Sequence, residues 1–152
     1  MENSMGKILT TLTVTNRIDQ ANAEDGLIES DGIRSVTLTN VLVDTGATTL
    51  CLPPEAIATL GLKLLKEVDV ATATGLSKTR IFQDARISLL GREGSFDCVE
   101  LLDEKNPLLG RIPLEVLGIK LDLKNQQLKL LSETSTDTYL TIPSIIEVQR
   151  KR

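Results

Sequence analysis

The sequence contains no histidine among its 152 residues. That absence excludes Ser-His-Asp and Cys-His nucleophilic systems as they are usually built, and it removes the commonest metal ligand. Two cysteines alone cannot complete a structural zinc site, so we predict no metal site and no cofactor. Any catalysis must therefore rest on carboxylates, on lysine, or on hydroxyl groups that are activated in another way.

Aromatic residues are also scarce, since only Phe82, Phe96 and Tyr139 occur. Three rings are too few for a base-stacking platform, and a formal net charge of −4 does not favour a phosphate backbone, so nucleic acid is not an expected partner. No apolar run approaches membrane-spanning length, and the first residues, with Glu2 and several threonines, do not resemble a signal peptide. We therefore expect no membrane partner and a cytoplasmic location.

The cysteine content predicts free thiols rather than a disulfide framework. Cys51 and Cys98 lie in a chain of ordinary domain size, and cysteine is among the most buried residue types. With 41% apolar and 25% charged residues, the composition is that of a globular chain with a core.

The first third of the chain has the pattern of two strands, at residues 7–14 and 34–43. In the second strand the alternation of apolar residues changes phase around Asn40, which predicts a bulge or bend. The intervening residues 16–33 contain two turn signals, Asp25-Gly26 and Asp31-Gly32. We predict a surface loop or a short irregular hairpin there.

The remainder continues as short strands with one or two short helices. Residues 53–62 predict a helix that ends at Gly61, and Pro113 and Gly118 bracket a second one. Alternating residues on both sides of Gly75 predict a hairpin with a small polar tip, and a further hairpin turns at residues 124–127. Beyond residue 131 the tail begins polar and ends basic, and its residues 139–148 are apolar enough to form one more strand.

The stretch VLVDTGATTLCLPP, residues 41–54, places a carboxylate inside an apolar run. An ionised Asp is costly there unless a partner or a function compensates. Two carboxylates that share one proton can hydrolyse an amide without a metal, because one acts as base on water while the other, protonated, polarises the carbonyl. Asp44 would end a buried strand, Thr45 would brace the turn, and Gly46 would allow close backbone approach. The alternative is that Asp44 is an ordinary turn residue.

The segment LVDTGATTLCLP resembles the active-site segment of aspartic proteases, and with Ala47 after Gly46 it is similar to the retropepsins. A second motif is Leu-Leu-Gly followed by Arg111. Its glycine, Gly110, lies 66 positions (110 − 44) after Asp44. The hairpin ATATGLSKT occupies the position of the retropepsin flap. The resemblance implies an all-β fold, a retropepsin-like closed β-barrel with one or two short helices and a flap hairpin. It makes residues 1–131 one protease domain and residues 132–152 a C-terminal tail.

The resemblance also implies a role for each residue of these motifs. Asp44 would be catalytic, and the loop that supports it would consist of Thr45, Gly46 and Ala47. Substrate and flap contacts would come from Thr48, Thr74, Gly75 and Leu76. The residues that cross beneath the loop and seal it would be Leu108, Leu109 and Gly110.

Position 48 departs from the viral members of the family. These commonly carry an Asp after Asp-Thr-Gly-Ala, paired with the Arg of the Leu-Gly-Arg segment. Here the position is Thr48, so Arg111 lacks the expected partner.

One Asp-Thr-Gly occurs in the sequence, so one copy of the chain supplies half of a two-carboxylate site. A second copy, related by a twofold axis, would supply the other half. The leading hypothesis is therefore a homodimeric aspartic endopeptidase that hydrolyses peptide bonds in polypeptides. The alternatives are a catalytically weak or silent retropepsin-fold module for dimerisation or peptide binding, and a small β-barrel domain unrelated to proteolysis.

Overall fold

The computed structural model describes residues 7–102 and 106–131, which form nine strands, three α-helices and one 3-10 helix (Ser30–Gly32). The strands are β1 (Lys7–Asn16), β2 (Ser35–Asp44), β3 (Leu50–Leu52), β4 (Lys63–Thr72), β5 (Gly75–Leu89), β6 (Arg92–Glu100), β7 (Leu108–Leu109), β8 (Ile119–Asp122) and β9 (Gln127–Leu130). The α-helices are α1 (Arg17–Glu24), α2 (Pro54–Leu60) and α3 (Arg111–Leu117). The apolar segment predicted at 139–148 lies outside the described residues.

Seven strands form one sheet in the order β1-β2-β7-β3-β6-β5-β4, and β1 also pairs with β5. The additional pairing closes the sheet into a ring, while β8 and β9 form a separate hairpin. The all-β prediction is confirmed, and so are the predicted hairpin around Gly75 and the hairpin at residues 124–127. The three α-helices exceed the one or two expected.

The predicted bulge in β2 is present and controls which residues of that strand are buried. Thr10 pairs with Val41 and Leu12 with Leu38, so two residues of β2 face one residue of β1. Because the side-chain period of a strand is two, the extra residue moves the following side chains to the other face. Val41 and Val43 are then fully buried, immediately before Asp44.

The prediction of a loop or hairpin at residues 16–33 is wrong, because these residues include α1. Asn16 caps the helix, and its side-chain oxygen accepts a hydrogen bond from the backbone N–H of Asp19. The only buried residue of α1 is Asp19, whose carboxylate accepts hydrogen bonds from the backbone N–H and guanidinium of Arg34. The usual sequence signal of a helix is a set of apolar residues that recur every three to four positions. A helix whose buried residue is a carboxylate lacks that signal.

The ends of the other two helices agree with the sequence. Gly61 closes α2 and Gly118 closes α3, with φ of 64° and 66°. This left-handed conformation suits glycine, which has no Cβ to clash with the following carbonyl. No helix among the described residues is long and apolar enough to cross a membrane.

A buried arginine connects the ring to the last hairpin. Arg92, at the start of β6, is fully buried and donates hydrogen bonds to the carbonyls of Leu117 and Gly118, both at 2.8 Å, and to that of Leu131. It therefore holds the end of α3 and the chain after β9 against the sheet.

Both cysteines are free, Cys98 buried and Cys51 half-buried. Burial raises the pKa of the Cys51 thiol to about 11 and that of Cys98 to about 12. The prediction of free buried thiols is thus confirmed for Cys98, and at neutral pH both side chains are thiols rather than reactive thiolates.

The Asp19–Arg34 pair predicts a specific loss of stability in acid. Hydrogen bonding from Arg34 lowers the pKa of Asp19 below its ordinary value of 3.8, so its contribution to the free energy of unfolding is complete well above pH 3.8. It is lost as the pH falls through the lower, folded-state pKa. We expect Asp19→Asn to be less stable than the wild type at pH 7, and the difference to shrink below pH 3.8.

Urea denaturation of both proteins at pH 7 and at roughly pH 2.5 measures this difference. Asp31→Asn, at an exposed position of the 3-10 helix, is the matched control and should follow the wild type throughout. A difference between wild type and Asp19→Asn that stays constant over this range contradicts the prediction.

Candidate active site

Asp44 is the last residue of β2 and lies half-buried at the start of a tight turn. Its Oδ1 accepts a hydrogen bond of 2.8 Å from the backbone N–H of Gly46, and its carbonyl accepts one of 3.0 Å from the N–H of Ala47. The carboxylate is therefore oriented by the backbone of its own loop, and buried valines on the preceding strand fix the position of that loop.

Gly46 allows this close approach. A Cβ at Gly46 would lie 3.1 Å from Asp44 Oδ1, which is tighter than most contacts of real Cβ atoms. Thr45 and Gly46 are exposed, while Ala47 is half-buried. Thr45 and Gly46 therefore face solvent on the outer side of the turn, next to the oriented carboxylate.

The second sequence motif lies directly beneath this loop. β7 runs parallel to β2 and antiparallel to β3, so it fills the space between the strand that enters the loop and the strand that leaves it. The paired residues are Leu42 with Leu108, Val43 with Leu109, Leu50 with Leu109, and Cys51 with Leu108.

Gly110 follows β7 at the point of closest contact with the loop. A Cβ there would lie 2.5 Å from the carbonyl oxygen of Ala47, and 2.6 and 2.7 Å from the carbonyl oxygen and nitrogen of Thr49. All three atoms belong to backbone, so no side-chain movement could relieve the clash. Only glycine permits this packing.

The loop also caps helix α3. The backbone N–H of Arg111 donates to Ala47 O and that of Ile112 donates to Thr48 O, both at 2.9 Å. The first N–H groups of a helix have no partner within the helix, so these bonds satisfy donors that would otherwise need water. The structure therefore brings together residues 44–48 and 108–110. Within residues 7–102 and 106–131, no ion pair involves Arg111.

The predicted flap residues Thr74, Gly75 and Leu76 lie on another element, at the tip of the β4–β5 hairpin. We call residues 67–80 the flap ribbon. Thr74, Gly75 and Leu76 are exposed at its tip, Leu76 by 78%, and Gly75 has a φ of 120°. Among the described residues, no hydrogen bond joins this tip to the Asp44 loop.

Thr72, to which the sequence motifs assign no role, organises the tip. Its hydroxyl donates a 2.6 Å hydrogen bond to the carbonyl of Gly75 and accepts a longer one, 3.3 Å, from the N–H of Thr74. A threonine just before a tight turn is a known local signal for such a bond, and it could have been noticed in the sequence.

No group of three or more His, Cys, Asp or Glu side chains is arranged to hold a metal ion in the described ranges. What the Asp44 loop offers chemically is one oriented carboxylate with solvent-facing backbone around it.

A protein-family model described as an aspartyl protease matches residues 30–111, which is 82 (111 − 30 + 1) of the 152 residues. The matched span contains β2, the Asp44 loop, the flap ribbon and β7, and it ends at Arg111. No significant match was found among curated proteins.

The packing at Gly110 predicts that Gly110→Ala destabilises the protein. A methyl group within 2.5–2.7 Å of three backbone atoms must displace the Asp44 loop or β7. We expect the free energy of unfolding to fall by about 1–3 kcal/mol, the usual cost of overpacking. Thermal and urea denaturation measure this change.

Gly32→Ala is the matched control, because its Cβ would meet only the Ile28 side chain at 3.5 Å and its φ is not positive. It should leave stability nearly unchanged. Equal stability of Gly110→Ala and Gly32→Ala would show that the loop is not packed as described.

Proposed function

This chain belongs to the aspartyl protease family of retropepsin type, and from that premise we propose that it is a homodimeric aspartic endopeptidase. Each subunit contributes one Asp44, and the two carboxylates together activate a water molecule that hydrolyses a peptide bond of a polypeptide. The substrate lies between the Asp44 loops and the flap ribbons.

The observation that carries this proposal is the placement of Asp44. Its carboxylate ends a buried strand, is oriented by the Gly46 N–H at 2.8 Å, and stands on a loop that β7 and α3 hold from beneath. An ordinary turn residue would not need the glycine-only packing at Gly110.

The chemistry needs two carboxylates in opposite protonation states. The ionised Asp44 takes a proton from water as the water oxygen attacks the peptide carbonyl carbon. The protonated Asp44 of the other copy donates its proton to the carbonyl oxygen. Collapse of this intermediate breaks the C–N bond, with a proton transferred to the leaving nitrogen, and gives a carboxylic acid and an amine.

The requirement for a second copy follows from the single Asp-Thr-Gly in these 152 residues. A twofold axis brings the same loop of two chains face to face, and the exposed position of Thr45 at the turn favours its hydrogen bonding across that axis. Gly46 would bind the substrate backbone through its carbonyl, and Thr48 would contact substrate beside it.

The flap ribbon supplies the cover that the chemistry needs. Its tip is exposed, and Leu76 presents an apolar side chain with no packing against the core. In the proposed complex Thr74, Gly75 and Leu76 close over the polypeptide and exclude water from the two carboxylates.

The assignment of Asp44 predicts that Asp44→Asn loses peptidase activity while it keeps its fold. We expect kcat/KM on fluorescein-labelled casein to fall by ~10²–10⁴-fold or more, because the amide cannot act as base. Asp31→Asn is the control, since Asp31 is exposed in the 3-10 helix that precedes β2, while Asp44 is the last residue of that strand. Wild-type rates from purified Asp44→Asn would remove Asp44 from the mechanism.

A mixing experiment tests whether the two carboxylates come from two chains. When a fixed amount of wild type is mixed with excess Asp44→Asn, subunit exchange forms heterodimers with one carboxylate each, so activity should fall as the excess grows. The same excess of Asp31→Asn should instead add activity. If excess Asp44→Asn leaves the wild-type rate unchanged after exchange is complete, the site does not require two chains.

A further inference from the structure

At its root, where it leaves the closed sheet, the flap ribbon contacts one buried residue of β6, Glu100. The ladder between β5 and β6 ends at the pair Ile81 and Val99. Beyond that point, among the strands of residues 7–102 and 106–131, the two strands of the ribbon pair only with each other, starting with Glu67 and Arg80. Backbone pairing between β5 and β6 therefore stops where the ribbon leaves the sheet, while β4 and β5 continue. Beyond this point, side-chain contacts with the sheet add to the continuity of these two strands in fixing the direction of the ribbon.

Two adjacent residues of the ribbon contact Glu100. The Thr79 hydroxyl donates to the Glu100 carbonyl at 2.6 Å, and Thr79 is the first buried residue of β5. The Arg80 Nε and Nη2 atoms donate to the two carboxylate oxygens of Glu100, both at 2.8 Å. The guanidinium also lies over the Phe82 ring, 5.3 Å from its centroid.

The burial and geometry of this pair separate it from the surface ion pairs of the chain. The Glu100 side chain is 4% exposed and that of Arg80 is 47% exposed, whereas the Lys78–Asp69 pair in the same ribbon has side chains that are 77% and 60% exposed and makes a single contact. Hydrogen bonding to Glu100 raises the pKa of Arg80, which therefore remains a cation. Two parallel hydrogen bonds fix the guanidinium plane, which a single exposed contact does not do.

Glu100 also belongs to the framework of the Asp44 loop. It is the last residue of β6 and pairs with Leu52 of β3, the strand that leaves the loop, and Leu101 N–H donates to the Leu52 carbonyl at 2.8 Å. The same residue thus contacts the root of the ribbon and the strand that continues from the catalytic loop.

We propose that Arg80 and Glu100 are positioning residues whose ion pair sets the direction of the flap ribbon relative to the Asp44 loop, and thereby the affinity for substrate. The effect on substrate rests on the proposed function, whereas the effect on the ribbon does not. A charged pair suits this task because a buried carboxylate tolerates few geometries other than the one that pairs it.

Amide hydrogen exchange tests the effect on the ribbon in Arg80→Met and in the double variant Arg80→Met/Glu100→Met. The double variant is needed because Arg80→Met leaves a buried carboxylate without its arginine and so weakens the whole fold. We expect the ribbon amides, residues 67–80, to exchange about tenfold faster in both variants than in the wild type. This corresponds to a decrease of about 1.4 kcal/mol in the free energy of local opening. In the double variant β1 and β2 should keep wild-type exchange.

Lys78→Met, which breaks the exposed pair in the same ribbon, is the matched control and should leave exchange unchanged. Arg80→Lys keeps the cation but lacks the two-pronged geometry, so it should restore only part of the protection. If ribbon exchange in the double variant equals that of the wild type, or rises equally in all strands, the proposed positioning role is wrong.

Kinetics on fluorescein-labelled casein test the effect on substrate. We expect KM of the double variant to rise about tenfold with a smaller change in kcat, because the flap contributes binding while the carboxylates are unchanged. Faster ribbon exchange without any change in KM would overturn the link to substrate. If the wild type has no peptidase activity, the proposed function fails, and the exchange comparison still decides whether Arg80 and Glu100 position the ribbon.

Discussion

The packing of β7 and Gly110 beneath the Asp44 loop is the constraint on which the rest of the site depends. Two residues of β7 pair with the strands on both sides of the loop, and Gly110 brings its backbone to distances that no Cβ permits. Because helix α3 begins at the next residue, its first N–H groups donate to the loop carbonyls. Strand, loop and helix therefore stabilise one another, and the fold itself orients the Asp44 carboxylate.

The architecture separates a buried part from an exposed part. The ring of strands carries the buried core and the loop, while the flap ribbon extends past the end of the β5–β6 ladder with its tip in solvent. The proposed endopeptidase would use this division, because its catalytic groups would need fixed geometry while the cover over a polypeptide would need to move. The buried Glu100 lies where the two parts meet.

Particular residues show where sequence analysis succeeded and where it failed. The bulge near Asn40 and the glycine ends of α2 and α3 were predictable because phase changes and left-handed turns leave local signals. Helix α1 was missed because its buried residue is a carboxylate, Asp19, paired with an arginine 15 positions later. Helix propensity and apolar periodicity are local quantities, and they cannot reveal a partner that is distant in sequence.

The sequence by itself determined the all-β class, the Asp-Thr-Gly and Leu-Leu-Gly motifs, and the hairpin between them, because strand alternation and turn residues act over a few positions. Only the tertiary structure decided that Gly110 contacts the backbone of Ala47 and Thr49, that the sheet closes through β1 and β5, and that Arg80 meets Glu100. These contacts join residues 20 to more than 60 positions apart. They depend on the register of whole strands, which the complete fold alone establishes.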